Sequence, residues 1–296
     1  MKTFFTRTAS ALVFVAIMLT GILYSPFTFF LLFFLVNFFA LKEYFKLIKN
    51  IDPDYGNTSG WHKTGVLVAS CALILSFTGD HFAGGNLSLG FLGWWIAIIF
   101  LMVLPVGEIL LSNEFSLKNI GYSAMGLLYI TVSFGLLIHL CLNYNTIHFT
   151  VGPAGIGTGP GWLIPLLLII FIWINDTMAY IVGSLIGRTP FFPSISPKKT
   201  IEGTVGGMIL AIAAAGVYGY YWGSQWLSLQ HWMALAGLAA VVGTAGDLME
   251  SKLKRMAGVK DSGNIMPGHG GFMDRFDSLI LAAPFAWIYI HFFAMS

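Results

Sequence analysis

Residues 27–41 read FTFFLLFFLVNFFAL, a stretch dominated by phenylalanine and leucine without one charged side chain. Together with its flanks it extends over 26–42, and runs of the same kind recur at 8–24, 64–80, 91–112, 120–142, 161–185, 204–222, 231–249 and 277–294. Each is long enough to cross ~30 Å of hydrocarbon as a helix. The whole composition agrees: of 296 residues 57% are hydrophobic, 16% aromatic and only 9% charged, against about 25% charged in soluble domains. That balance excludes a disordered chain, a nucleic-acid binder and an ordinary cytosolic globule. The expected fold is an all-α polytopic integral membrane protein with nine transmembrane helices. Residues 1–150 hold five of the spans and 151–296 the remaining four. The stretch 27–41 itself is expected to face lipid as bulk.

Nine crossings put the termini on opposite sides, and the charges say which is which. Lys2 and Arg7 precede the first run, Lys42, Lys46, Lys49 and Lys63 lie between the second and third, and Lys118 lies between the fourth and fifth. Arg188, Lys198 and Lys199 fall between the sixth and seventh, and Lys252, Lys254, Arg255, Lys260 and Arg275 between the eighth and ninth. All fifteen Lys and Arg therefore sit on one side of a nine-span map. The positive-inside rule makes that side, with the amino terminus, cytoplasmic and the carboxyl terminus external. The opening MKTFFTRTAS has the basic start of a signal peptide but no small-x-small cleavage site, and reads as an uncleaved first helix.

Asp176, in FIWINDTMAYIVG, breaks the sixth apolar run. An ionised carboxylate there costs at least ~2.5 kcal/mol at a helix centre, so it must face a polar interior, as a packing group or as part of a site. Cys71 and Cys141 both lie in apolar runs without ligand spacing and read as small hydrophobes rather than a disulfide. The glycines at 155, 157, 159 and 161 have no basic partner, so a phosphate cradle is not expected there.

Two polar segments on the basic side concentrate the chemistry. SISPKKTIEGTVGG, 194–207, brings Ser196, Lys198 and Lys199 to a helix start, Thr200 to Gly203, with Glu202 in its first turn. Ammonium groups beside helix-start amides form an anion site suited to phosphate at a membrane surface. The second, GDLMESKLKRMAGVKDSGNIMPGHGGFMDRFDS, 246–278, packs ten charges into about thirty residues. If 247–256 is a helix end, Asp247, Ser251 and Lys254 share a face and Glu250 can pair with Lys254. Asp274 and Asp277 share a face at the start of the last helix, so the two helix ends can converge their carboxylates. Hard oxygen ligands for Mg²⁺ next to lysine and arginine suit in-line displacement on a polyphosphate. His269, in the turn-forming PGHGG, reads as a turn hydrogen-bonder, a phosphate or leaving-group contact, or a metal ligand.

These segments closely resemble the phosphatidate cytidylyltransferases, or CDP-diacylglycerol synthases, with the signature S-x-x-K-R-x(4)-K-D-x-G-x(3)-P-G-H-G-G-x-x-D-R-x-D. It falls without a gap on Ser251, Lys254, Arg255, Lys260, Asp261, Gly263, Pro267 through Gly271, Asp274, Arg275 and Asp277. NDTMAYIVGSLIGR, 175–188, places Asp176, Ala179, Tyr180 and Gly183 on the family's membrane Asp motif, whereas Ile201 stands where many members carry an aromatic residue. The resemblance covers the carboxyl-terminal 40% or so; the earlier spans match only in hydropathy. It implies a homodimeric enzyme of the bacterial inner membrane, facing the cytoplasm, that condenses CTP with phosphatidic acid to CDP-diacylglycerol and pyrophosphate. It further implies two cation sites, both divalent or one of them monovalent, with Asp247 and Asp274 as principal ligands. Lys254, Arg255, Lys260, Asp261, His269, Arg275 and Asp277 would join them in catalysis. Ser196, Lys198, Lys199, Thr200, Glu202, Gly203, Ser251, Gly270, Gly271 and Asp176 would line the substrates. The alternative reading, a transporter or ion pathway built around Asp176, is weakened by the gathering of nearly all polar chemistry on one face.

Overall fold

The computed structural model describes residues 2–84, 87–111, 116–143, 149–151, 155–157, 160–264 and 270–294. Each of the nine apolar runs contains a helix. They are α1 (Lys2–Leu23), α2 (Pro26–Ile51), α3 (Gly60–Ser76), α4 (Leu89–Leu111), α5 (Leu117–Gly126) with α6 (Ser133–Asn143), α7 (Leu163–Ile186), α8 (Ile201–Tyr221), α9 (Leu229–Met256) and α10 (Met273–Tyr289). A π-helical segment, Leu127–Val132, joins α5 to α6. Two antiparallel two-stranded hairpins, β1 (Ala83–Gly84) with β2 (Leu87–Ser88) and β3 (Phe149–Val151) with β4 (Gly155–Gly157), are the only strands among the described residues.

Among those residues seven helices are long and apolar enough to cross a membrane; α3, with 17 residues, and the apolar part of α1, Ser10–Leu23, are shorter. The faces they present fit a lipid solvent. On α4, Trp94, Ile99, Met102 and Leu110 are all more than half exposed, a surface that water would not tolerate over such a length. The chain is a predominantly helical, polytopic integral membrane protein.

Helix boundaries follow local chemistry. Ser25 caps α2 through a reciprocal box with Thr28, with Pro26 at the first position. Ser59 caps α3 and Thr200 caps α8, each accepting a backbone N–H three residues on.

The chain forms two compact units, one of Met1–Leu142 with Leu253–Arg275 and the other of Asn143–Lys252 with Phe276–Ser296. Residues 253–275, grouped by the sequence with the carboxyl-terminal half, belong to the first. In that unit the 27–41 stretch departs from expectation: Phe29, Phe30, Phe33, Val36, Asn37, Ala40 and Leu41 are buried. Phe33 packs on Phe134 of α6, and Asn37 donates to Ser70, which meets Thr131. One side of α2 is thus core, because its asparagine needs protein partners that lipid does not offer. Cys71 is half-buried, Cys141 is buried, and both are free thiols. In the second unit α7 and α8 run against each other through small residues. A Cβ on Gly203 would meet the Ala179 carbonyl oxygen at 2.6 Å, and one on Gly207 the Asn175 carbonyl oxygen at 2.6 Å. Packing of this closeness is what holds helices together where no hydrophobic effect acts.

Candidate active site

In the second unit the segment between α7 and α8 is tied down before it reaches its lysines. Glu202, in the first turn of α8, accepts from the backbone N–H of Arg188 and Thr189 at 3.1 Å and from Thr189 Oγ1 at 2.7 Å. Phe191 N donates to the Lys199 carbonyl and Ile201 N to that of Thr189, closing a bridge between Pro190 and Thr200. Ser196 lies in the turn, its N–H on the Phe192 carbonyl and its carbonyl accepting from Lys199 N. Glu202, expected against substrate, therefore anchors the loop, and Gly203 faces α7.

The anchored loop presents Lys198, Lys199 and Thr200 to a cavity of about 410 Å³ that Asp176, Tyr180 and Asp247 also line. Five residues selected from the sequence, drawn from α7, the loop and α9, thus share one wall. Lys199 is ion-paired with Asp247, whose other carboxylate oxygen accepts from Ser251 Oγ at 3.3 Å, one helical turn away. Asp176 faces the cavity and accepts from Asn175 at 3.3 Å. Asp277, near the start of α10, accepts from the N–H of Ser278 at 2.6 Å.

In the first unit the other half of the signature is built around Asp274. Lys254, expected beside Glu250, reaches Asp274 Oδ1 at 2.7 Å. Asp274 Oδ2 accepts from Ser262 N, Ser262 Oγ and Gly271 N, each at 2.8 Å. Gly270, at φ +80°, lets the backbone turn over this carboxylate; a Cβ there would lie 2.6 Å from Oδ2. Arg255, Lys260, Asp261 and Arg275 are exposed, Arg255 with a long contact to the Val259 carbonyl. His269, with Pro267 and Gly268, lies outside the described residues.

The sequence profile of the Cytidylyltransferase family matches residues 5–293. The chain belongs to this family. Among its relatives, the phosphatidate cytidylyltransferase of Bacillus subtilis (strain 168) is 32% identical over 199 residues, 67% of this chain and 68% of that protein. That of Synechocystis sp. is 43% identical over 157 residues, 52% of this chain and 51% of its own length. That of Aquifex aeolicus (strain VF5) is 45% identical over 123 residues, 40% and 44% of the two lengths. The latter two matches span about half of the relative or less.

For a cytidylyltransferase the donor set can be judged against a divalent cation of the magnesium type, which takes hard oxygen ligands. Asp176 and Asp247 bring such oxygens to the cavity in the second unit, a number that suits magnesium held jointly with substrate phosphates. Asp274 offers Oδ1 only when Lys254 leaves it. Among the described residues no three His, Cys, Asp or Glu side chains already form a metal cage.

Sequence reading missed one group. Glu43, on α2 and 7% exposed, accepts from Ser262 Oγ at 2.9 Å, Met273 N at 2.9 Å and Phe272 N at 3.1 Å. In LKEYFK it reads as one more charge at a helix end, and nothing local points to partners more than two hundred residues away.

Proposed function

We propose that this family member transfers CMP from CTP to phosphatidic acid, giving CDP-diacylglycerol and pyrophosphate, at the cytoplasmic face of a bacterial inner membrane in phospholipid synthesis. The observation that carries this reading is the cavity uniting Lys198, Lys199, Thr200, Asp176 and Asp247, in a chain of this family whose signature is unbroken. A phosphatidate oxygen attacks the α-phosphorus of CTP, the new P–O bond forms, and the bond to the β-phosphate oxygen breaks, so pyrophosphate leaves with the electron pair. The nucleophile is already an anion at neutral pH and needs no strong base. Positioning and charge neutralisation carry the catalysis.

The resting ion pairs suggest how. Lys199 and Lys254 sit on Asp247 and Asp274, the two carboxylates that the family resemblance names as principal cation ligands. As nucleotide arrives, each ammonium turns to phosphate oxygens, and Asp247 and Asp274 are the residues that would hold a divalent cation. Magnesium, when bound, supplies Lewis-acid neutralisation of the phosphates. Lys198 adds charge at the loop, Arg255, Lys260 and Arg275 serve the triphosphate and the lipid head group, and Asp176 adds a carboxylate to the cavity wall. The nine-crossing topology, with the amino terminus inside and the carboxyl terminus outside, and the homodimer belong to this same proposal. Acyl chains then stay in the bilayer while CTP meets the basic side.

Detergent-solubilised protein tests it. CTP, phosphatidate and magnesium should give CDP-diacylglycerol and pyrophosphate in equal amounts without a sealed compartment. Solute movement across vesicles, with no such turnover in detergent, would favour the transporter reading.

A further inference from the structure

We propose that Glu43 is a positioning residue for cytidylyl transfer: from an amino-terminal helix it sets the backbone of the signature loop and, through Ser262, the carboxylate of Asp274. This rests on the function proposed above and adds a residue that lies outside the signature.

The geometry is that of a helix cap supplied from elsewhere in the chain. The first N–H groups of a helix have no partner within it. At α10 two of them, Phe272 N and Met273 N, are taken by Glu43 Oε1 and Oε2, a carboxylate where the helix dipole favours negative charge. Phe39, one turn earlier on α2, stacks on Phe272 with ring centroids 5.0 Å apart and planes at 11°. The loop is shaped to admit the carboxylate, since a Cβ on Gly263 or on Gly271 would overlap it.

Ser262 links this cap to the chemistry. Its Oγ lies 2.9 Å from Glu43 Oε2 and 2.8 Å from Asp274 Oδ2. A hydroxyl has one proton to donate, so the two carboxylates hold the serine between them and compete for it. Glu43 thereby sets where Asp274 stands without touching substrate. An amide cannot replace it: Glu43→Gln keeps the volume but has one acceptor oxygen, and in either orientation its NH₂ confronts a backbone N–H.

The test uses the full chain, purified in detergent, with CTP, phosphatidate and magnesium. Wild-type turnover checks the underlying function first; a wild type without it sinks that function, whereas an active wild type isolates the question of Glu43. Glu43→Gln should then lower kcat about thirtyfold, in keeping with the cost of a sub-ångström misplacement, with KM for phosphatidate unchanged and the magnesium concentration for half-maximal rate raised. Tyr44→Phe, one residue along, removes the hydrogen bond to the Tyr122 carbonyl and controls for simple loosening of α2. It should lower the melting temperature and leave kcat within about twofold, since its hydroxyl bonds a helix carbonyl and not the loop around Asp274 among the described residues. Ser262→Ala should lower kcat in the same way, and the double variant Glu43→Gln/Ser262→Ala should lose no more than the worse single, because both cut one link. Should Glu43→Gln fail to accumulate, the serine variant alone carries the expectation. Unchanged kcat and magnesium dependence in either variant, losses that multiply in the double, or equal losses in Tyr44→Phe would overturn the proposal.

Discussion

Two aspartates of the same signature region rest in opposite surroundings. Asp247 stands in an open cavity, its side chain 25% exposed, with Lys199 on one oxygen and a long serine contact on the other. The Asp274 side chain is 6% exposed and has both oxygens engaged, one by Lys254 and the other by three donors of the loop that wraps it. Both are ion-paired with lysine, yet one pair borders an open cavity, whereas the other also ties the loop together while Lys254 covers the one oxygen that a cation would take. The lesson is that one motif can hold a group ready and hold a loop together, and that losing each carboxylate should fail in a different way.

The largest expected effect separates them. Asp247→Asn should cut magnesium-dependent CDP-diacylglycerol formation about a thousandfold or more, as loss of a charge-stabilising group does, with little change in melting temperature. Asp274→Asn should be as inactive and also less stable by about 3 kcal/mol, the scale for breaking a buried pair and stranding its lysine. Near-normal turnover in both would sink the cation assignment, and equal melting temperatures would erase the contrast.

Next in size is Asp176, on the cavity side. Asp176→Ala should lower activity about tenfold or more while the protein still inserts and folds, since the residue faces a polar space rather than the core. Unchanged kinetics would return it to helix packing.

How much of this was legible in the sequence depends on how far apart the partners lie. Thr200 as a cap and Ser251 beside Asp247 were readable because each contact spans a helical turn. Lys199, Asp176 and Asp247 were each legible as candidates from charge and position, but their meeting at one cavity was not, because they lie on three separate segments. Residues 27–41 misled, because an apolar side chain does not reveal whether lipid or protein covers it; the informative letter was Asn37. Glu202 was readable as a first-turn carboxylate, but not as the anchor of Arg188 and Thr189, since those donors lie fourteen and thirteen residues earlier across a loop. Glu43 was invisible, because its partners are set by tertiary packing alone.

The smallest effect tests the scaffold away from either aspartate. Lys118 lies 2.6 Å from Asp52, and its hydrogen bond is the main cause holding the Asp52 carboxyl below the usual carboxylate range. A depressed carboxylate stabilises the fold fully above its unfolded pKa of about 3.9 and loses that contribution as pH falls through the folded value. Lys118→Met should therefore lower the melting temperature slightly at neutral pH, by the small amount expected of a half-solvated pair, and the difference should vanish in acid. A difference that persists below the folded value would mean Lys118 acts through packing.

The central claim is a displacement at the α-phosphorus of a cytidine nucleotide by a lipid phosphate, and labelled CTP tests it directly. With label on the α-phosphorus, radioactivity should enter the lipid phase; with label on the γ-phosphorus it should leave as aqueous pyrophosphate, both requiring phosphatidate and magnesium. Label from the γ position in the lipid, or label from neither position released in the presence of both substrates, would contradict it.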